Sequence, residues 1–193
     1  MFLIRPALPH CIFFVYFLFK SVAFAEDFLP SATSTSPAMT QEIVVILNAK
    51  QNALLSSRAN FEYRAEDVET LYKANNYTPL WINNPQSEKN VADVLALLSN
   101  AAAEGLNPEN YSASVLQQKL PLVLLKPQNT VDLALYDTAL TVSLVRFLHD
   151  VHYGRVNPHN LDYNIKLRTQ KNLDLSQTIK TALAENTIAG YYY

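Results

Sequence analysis

The chain has 193 residues and a formal net charge of −2, with 49% hydrophobic and 17% charged residues. This composition excludes an intrinsically disordered chain, which has few apolar residues and a high charge. The sequence also lacks the clustered lysine and arginine of nucleic-acid-binding proteins, so we expect no nucleic-acid partner.

The N-terminal segment 1–25 has the pattern of a secretory signal peptide. Arg5 supplies a positive charge, residues 11–19 are apolar, and residues 23–25 (AFA) match the small-x-small rule for cleavage. Lys20 interrupts the apolar stretch well before the roughly 20 residues that a membrane-spanning helix needs. We therefore expect residues 1–25 to be removed, which gives an exported protein with no stable membrane anchor.

Signal cleavage also removes Cys11, the only cysteine of the sequence. The mature chain, 26–193, then has no disulfide, no thiolate nucleophile and no thiolate metal ligand. Loss of Arg5 and Lys20 leaves 13 basic against 17 acidic side chains, a formal charge of −4. Residues 26–39 are rich in Ser, Thr, Ala and Pro, which predicts a flexible tether, and one folded domain is expected over residues 40–193.

Proline and glycine divide the rest of the sequence into helical segments and short connections. Four long segments contain no proline, as helices require, because proline lacks a backbone donor and clashes with the preceding turn. Each glycine follows an apolar, periodic segment, where a helix C-terminal cap belongs. The proline-free segments are 40–75, 88–104, 129–153 and 161–189, and the glycines are Gly105, Gly154 and Gly190.

The first predicted helix starts at Thr40, its expected N-cap, and a second helix covers residues 65–75. Glu66, Asp67 and Glu69 lie near the start of the second helix, where negative charge favours the positive end of the helix dipole. The apolar face of the first helix is expected to consist of Ile43, Ile46, Leu47, Leu54 and Leu55.

After the second helix, residues 77–82 are predicted to be extended, because the residue before Pro79 avoids the helical region. A third helix is predicted over residues 87–104, and residues 107–109 then start a short helical turn that leads to Tyr111 and Leu116. The inward-facing residues of the third helix are expected to be Val91, Val94, Leu95, Leu98 and Ala102.

Residues 130–152 form the longest predicted helix, about 34 Å at 1.5 Å per residue. Apolar residues cover most of its circumference, which is typical of a helix buried on all sides. Four charged residues, among them Asp137 and Arg146, exclude a membrane span. A last helix is predicted over residues 176–188, and no strand-like alternation is long enough for a sheet. The predicted fold class is all-α, a helical bundle around one long central helix with short extended or loop connections.

The sequence lacks the local motifs of several enzyme classes, namely a phosphate-binding loop, a dinucleotide fingerprint, GxSxG, HExxH and SxxK. His149 and His152, with His159 beyond them, come closest to a metal-binding set, although histidines at a helix C-terminus also favour its dipole. We expect no catalytic residue, no metal and no cofactor. The alternative is a metal-dependent or acid–base hydrolase, which rests on these histidines and on the acidic residues at 66–69.

Aromatic residues are concentrated at the predicted helix ends. Aromatic platforms bind sugars, but large rings at helix–loop junctions are more commonly used to close the edge of a core. The aromatic residues concerned are Tyr63, Tyr72, Tyr77, Trp81, Tyr111, Tyr136, Tyr153 and Tyr163.

Three short segments together carry a resemblance to a known family. They are 72–81 (YKANNYTPLW), 102–111 (AAEGLNPENY) and 150–158 (DVHYGRVNP). Their order and spacing resemble the N-terminal scaffold domain of the large periplasmic L,D-transpeptidases, which cross-link peptidoglycan. The resemblance covers about residues 60–165 and implies a helical scaffold domain in the periplasm of a Gram-negative cell. It carries over no catalytic residue, because the sequence has no His/Ser-Gly-Cys motif.

This resemblance gives two functional hypotheses. In the first, the chain is a non-catalytic scaffold domain in a truncated or stand-alone form, since the three tyrosines after Gly190 look like the start of a lost segment. In the second, it is a module that binds peptidoglycan or a cell-wall synthesis enzyme.

For such a binding module, the expected partner- or glycan-binding surface consists of Tyr77, Trp81 and Arg155. A structural role competes with this interpretation, because Pro79 and Trp81 also suit an extended strap over the bundle. Arg155, just beyond the longest helix, is expected either to pair with Asp150 or to face a partner domain.

Overall fold

Helix α5, Thr130–Tyr153, is the element against which the other helices pack. The computed structural model describes residues 37–56, 60–82, 87–125, 129–155 and 173–190. No strand occurs within these ranges, and the predicted all-α fold is confirmed. The other helices are α1 (Pro37–Ala49), α2 (Ala65–Ala74), α3 (Ser87–Ser99), α4 (Ala113–Leu125) and α6 (Leu175–Glu185). Short 3-10 turns occur at Glu62–Arg64, Ala101–Glu104, Pro108–Tyr111 and Ile188–Gly190.

The central position of α5 explains its composition. Residues 136–147 are all buried, and α1, α2, α3, α4 and α6 each contact this helix. Asn129 caps its N-terminus by accepting a hydrogen bond from the backbone N–H of Asp132 at 2.9 Å. Gly154 follows its last residue with a φ of +81°. The prediction of a long, buried central helix is therefore confirmed.

Helix α1 begins at Pro37, ahead of the predicted N-cap Thr40. Proline suits the first turn of a helix, because its fixed φ is already helical and its missing N–H has no intrahelical partner there. Met39, predicted to lie in the tether, is 1% exposed and belongs to the core. Thr40 is therefore not an N-cap, and the first helix contributes to the core from its first turn.

The predicted apolar face of α1 extends too far along the chain. Ile43, Ile46 and Leu47 are buried on the helix, as predicted. Leu54 and Leu55 lie beyond it, because the helix ends at Ala49. Both side chains still contribute to the core from a non-helical segment.

Helix α3 ends earlier than predicted and tightens into a 3-10 turn at Ala101–Glu104. The tighter winding rotates the side chains, so that Ala101 is buried and Ala102, predicted to face inward, is exposed. Val91, Val94, Leu95 and Leu98 are buried as predicted. Gly105 ends the turn with a φ of +72°.

Helix α4 was predicted only as a short helical turn that reaches Leu116, because Pro121 lies outside the proline-free segments. The helix runs through this proline, which lies on an exposed position. Proline removes one main-chain hydrogen bond from the helix. Burial of Leu116 and Val123, on a helix that packs against both α3 and α5, offsets this loss.

The strap, residues 78–82, follows a sharp turn at the end of α2. Tyr77 was predicted to be extended, but it has a φ of +56° and donates its backbone N–H to the Tyr72 carbonyl at 2.8 Å. Asn76 before it also has a positive φ, of +52°. The chain therefore reverses in the left-handed region before it enters the strap.

Helix α6 starts after Asp174, whose carboxylate accepts a hydrogen bond from the backbone N–H of Gln177 at 2.9 Å. The helix ends at Glu185, because Asn186 adopts a left-handed φ of +55°. Ile188, predicted to be the last residue of this helix, is buried in the separate 3-10 turn that follows.

Several sequence predictions concern residues outside the described ranges. These are the signal peptide at 1–25, the tether up to residue 36, His159, Tyr163 and residues 191–193. Among the described residues, no helix is both long enough and apolar enough to cross a membrane.

The left-handed conformation of Gly105 gives a test of the fold. Gly105→Ala is expected to lower the free energy of unfolding by about 1 kcal/mol, since a Cβ is disfavoured at positive φ. The cost is conformational, because no described atom lies within 4 Å of the added Cβ. Gly190→Ala is the matched control, since that site also has open space and no positive φ is found there. Urea unfolding measures both, and equal effects would contradict this assignment.

Candidate functional site

The carboxyl of Asp137, in the middle of α5, lies at the centre of a buried polar network. It is completely buried and accepts four hydrogen bonds. The Tyr72 hydroxyl on α2 donates to Oδ1 at 2.6 Å. Three successive backbone N–H groups of the strap also donate: Leu80 to Oδ1 at 3.1 Å, and Trp81 and Ile82 to Oδ2 at 2.8 and 3.1 Å. The carboxyl thus joins α2, α5 and the strap.

Thr141, one turn further along α5, completes this network. Its Oγ1 accepts a hydrogen bond from the indole Nε1 of Trp81 at 2.8 Å and lies 2.8 Å from the Tyr72 hydroxyl. It also lies 3.0 Å from the main-chain carbonyl oxygen of Asp137. Tyr72 and Trp81 are both 0% exposed, so each buried polar tip of these large rings has a partner.

Burial raises the pKa of Asp137 from its ordinary value of 3.8 to about 6. The hydrogen bonds from Tyr72 and from the strap act in the opposite direction, because they favour the ionised form. Burial also raises the pKa of Tyr72 well above its ordinary value, and the neighbouring carboxyl adds to this effect. Solvent and a substrate do not reach these groups, so their arrangement supports the fold and is not an open catalytic site.

A second polar cluster lies at the C-terminal end of α5, around Asp150. The buried Tyr111 donates its hydroxyl to Oδ2 at 2.8 Å. Nδ1 of His149 lies 3.2 Å from Oδ1, and Nε of Arg155 lies 3.7 Å from Oδ2. Burial raises the pKa of Tyr111, and the hydrogen bond to Asp150 adds to this. Arg155 therefore meets one of its two predicted roles, the pairing with Asp150.

Two further contacts fix the 3-10 turn at Pro108–Tyr111 to α5. The ring of Tyr111 packs edge-on against Phe147, with centroids 5.4 Å apart. The buried Arg146 donates from Nη1 to the carbonyl oxygen of Asn110 at 3.0 Å. The turn is thus held on α5 by a hydrogen bond to a carboxylate, an aromatic contact and a hydrogen bond to a main-chain carbonyl.

The predicted binding surface of Tyr77, Trp81 and Arg155 does not form as one unit. Trp81 is fully buried, so the prediction that it is exposed to a partner or glycan is wrong. Its ring fills the core and its N–H binds Thr141. Tyr77 is partly buried against the core, and the side chain of Arg155 is 50% exposed. Asp137 binds the strap and Asp150 pairs with Arg155. These two residues of α5 lie about 20 Å apart along the helix at 1.5 Å per residue, so the strap and Arg155 are in separate regions.

The described residues contain no group of His, Cys, Asp or Glu side chains arranged to hold a metal ion. His149 and His152 lie instead beside the ring of Tyr153, at centroid distances of 5.0 and 4.5 Å. Asp67 pairs with Arg64 at 3.0 Å, and its carbonyl oxygen accepts a hydrogen bond from Ser176 Oγ at 3.1 Å. Asp67, one of the acidic residues at the start of α2, therefore has structural partners.

A mainly apolar cavity of about 410 Å³ lies between α3, α5, α6 and the 3-10 turn that follows α6. Its two polar lining residues are His152 and Thr178. The apolar lining residues are Leu97, Leu144, Leu148, Val151, Leu173, Ile179, Ala182 and Ile188. Leu173 is the first described residue after a range that the structure does not describe.

Sequence reasoning missed Asp137 and Thr141 as partners of the strap. The signal that was available is Asp137 itself, a charged residue in a helix predicted to be buried on all sides. Such a group requires internal hydrogen-bond partners. Which partners it has was not predictable, because Tyr72 and the strap lie far earlier in the chain.

The fold and these contacts define an all-α domain whose buried polar side chains support its own irregular segments. The family model described as "Scaffold domain" matches residues 66–192, about two-thirds of the chain. The chain belongs to this Scaffold domain family. Comparison with curated proteins found no match, and neither did comparison with solved structures.

The raised pKa of Asp137 gives a prediction about stability and pH. Between pH 4 and 6 the folded state keeps a proton that the unfolded state releases, so the contribution of this group is largest below pH 4 and falls as the pH rises to 6. Asp137→Asn removes the titrating carboxyl. It also places the NH₂ group of an amide, which is a hydrogen-bond donor, opposite groups that are themselves donors. The variant should be less stable, and the deficit relative to the wild type should shrink by about 2 kcal/mol between pH 4 and pH 7.

Urea unfolding of both proteins at several pH values measures this difference, and other titrating groups cancel in the comparison. A deficit that stays constant or grows as the pH rises would contradict the assignment.

Proposed function

We propose that the chain is a non-catalytic, periplasmic scaffold domain related to peptidoglycan-cross-linking L,D-transpeptidases. The family match at residues 66–192 supports the scaffold part of this proposal. The relation to L,D-transpeptidases rests on the resemblance of the three segments. Export rests on the signal-peptide pattern of residues 1–25, and the periplasmic location rests on the same resemblance.

The proposal rests on one observation, namely that each of those three segments either contacts helix α5 or belongs to it. Segment 72–81 ends in the strap that binds Asp137 and Thr141. Segment 102–111 ends in Tyr111, which binds Asp150. Segment 150–158 begins with Asp150 itself on the last turns of α5. The residues that carry the resemblance are therefore those that hold irregular segments on the central helix, as expected of a scaffold rather than of a reaction centre.

The chemistry of the sequence agrees with a non-catalytic role. The only cysteine, Cys11, lies in the predicted signal peptide, whereas the resembling enzymes use a cysteine with a partner histidine in a separate catalytic domain. The buried Asp137 and Tyr72 are enclosed, and the pair of His149 with Asp150 is joined to the Tyr111 hydroxyl in a structural contact.

The absence of transpeptidase chemistry is directly testable. Purified chain incubated with peptidoglycan is expected to form no new cross-links, as measured by mass spectrometry of the digested products. Residues 26–193, purified without the predicted signal peptide and therefore without Cys11, should behave in the same way as the full chain. Cross-links formed by either protein, above a heat-denatured control, would contradict the proposal.

A second candidate function is a module that binds peptidoglycan or a cell-wall enzyme. The half-exposed Arg155 and the partly exposed Tyr77 favour it, because cationic and aromatic side chains suit an acidic glycan polymer. Their regions lie about 20 Å apart along α5, so an extended polymer is a better fit than a small ligand.

Co-sedimentation with purified sacculi tests this second function. Tyr77→Ala and Arg155→Ala are each expected to weaken binding about tenfold, equivalent to roughly 1.4 kcal/mol. Tyr63→Ala is the matched control, because Tyr63 is 84% exposed and lies outside both regions. Urea midpoints must be checked for Tyr77→Ala, whose ring contacts the core. Equal pelleting by all four proteins, or by none, would exclude this surface.

A further inference from the structure

The hydroxyl groups of Tyr72 and Thr141 connect the Asp137 carboxyl to a second acceptor on the same residue. The Tyr72 hydroxyl lies 2.6 Å from Asp137 Oδ1 and 2.8 Å from Thr141 Oγ1. Thr141 Oγ1 lies 3.0 Å from the main-chain carbonyl oxygen of Asp137. The path from carboxyl to tyrosine, threonine and carbonyl is therefore continuous, and it starts and ends at Asp137.

When the carboxyl is ionised, all hydrogens along this path have acceptors. Tyr72 donates to Oδ1, and Thr141 donates either to the Tyr72 oxygen or to the Asp137 carbonyl. Thr141 accepts from the indole N–H of Trp81. The carboxylate accepts the three strap N–H groups as well, so it has no unsatisfied oxygen.

When the carboxyl is neutral, its own hydrogen needs an acceptor among groups that mostly donate. The backbone N–H groups of the strap cannot accept it, whereas the Tyr72 oxygen can, provided that the tyrosine turns its hydrogen to Thr141 Oγ1. Thr141 then accepts from Tyr72 and Trp81 and donates to the Asp137 carbonyl, which uses its full hydrogen-bonding capacity. Oδ2 continues to accept from the strap.

We propose that Tyr72 and Thr141 form a reversible hydrogen-bond relay that lets Asp137 gain or lose a proton while the strap stays in place. One proton passes between the carboxyl and water during a local opening of the structure, the Tyr72 hydroxyl hydrogen turns from Asp137 Oδ1 to Thr141 Oγ1, and no bond between heavier atoms changes. The strap thus stays hydrogen-bonded to Asp137 in both protonation states of the carboxyl. The relay is independent of the proposed function.

The groups that face this carboxyl come from three elements. Helix α2 contributes the titratable Tyr72, the strap contributes backbone N–H groups, and α5 contributes Thr141. Within the described ranges, no charged side chain of α1, α3, α4, α6 or the 3-10 turns forms a hydrogen bond or ion pair with Asp137. The pKa of Asp137 should therefore depend on the hydrogen bonds of the relay and not on a neighbouring charged side chain.

Thr141→Val tests the relay because it removes the acceptor that the neutral state requires. The ionised carboxyl keeps all its donors, whereas the neutral form leaves the Tyr72 hydrogen unpaired. The titration midpoint of Asp137 should therefore fall by about one pH unit, the size expected for one neutral hydrogen bond. Thr141→Ser, which keeps the hydroxyl, should titrate like the wild type. The midpoint is read from the carboxyl ¹³C signal of the full chain, assigned with Asp137→Asn.

A measurement on the wild type keeps the proposal testable if the valine variant does not fold. As the carboxyl gains its proton, the ¹H signal of the Tyr72 hydroxyl should move upfield, because its acceptor changes from a carboxylate to a hydroxyl. The amides of residues 80–82 should stay protected from hydrogen exchange throughout. An unchanged midpoint in Thr141→Val, a Tyr72 signal that does not move, or loss of strap protection at low pH would each overturn the relay.

Discussion

Burial of the Asp137 carboxyl is the constraint on which the arrangement of this domain depends. An unpartnered carboxylate in an apolar interior is prohibitively costly, so its four donors must be in place when the helices pack. Those donors come from α2 and from the strap, both distant from Asp137 along the chain. The need to satisfy one side chain therefore fixes the position of two separate elements on α5.

Polar side chains hold an irregular segment against α5 in two further regions of this helix. Near its start, Asn52 donates from Nδ2 to Leu135 O and Thr138 Oγ1, both at 2.8 Å, which fixes the loop after α1. Near its end, Arg146 and Asp150 hold the turn at Pro108–Tyr111. Buried backbone outside a helix lacks regular partners, and side chains of a rigid helix supply them. Polar residues on a buried helix thus provide the hydrogen bonds that a neighbouring strand provides in a sheet.

What the sequence allowed one to predict follows from the range of each interaction. Helix α5 and the stop at Gly105 depend on local periodicity and capping, and both were recognised, although the change from α3 to a 3-10 turn before Gly105 was not. The full length of helix α4 was missed, because the local cost of Pro121 is visible in sequence and the compensating burial of Leu116 is not. For Trp81 the sequence left two roles open, a binding surface and a strap over the bundle. The structure gives it the second role, because Thr141, far later in the chain, provides a buried partner for its indole N–H.

These contacts also limit what can be inferred from a resemblance that is confined to the segments 72–81, 102–111 and 150–158. Tyr72, Trp81 and Tyr111 are buried, and each binds a polar residue of α5. Retaining such residues preserves a fold whether or not a reaction centre accompanies it, because their effect is on the stability of the folded state. The segments therefore carry information about architecture, and the activity of any relative does not follow from them. Function in this domain has to be sought in its exposed residues, such as Arg155, whose side chain remains half accessible even while paired with Asp150.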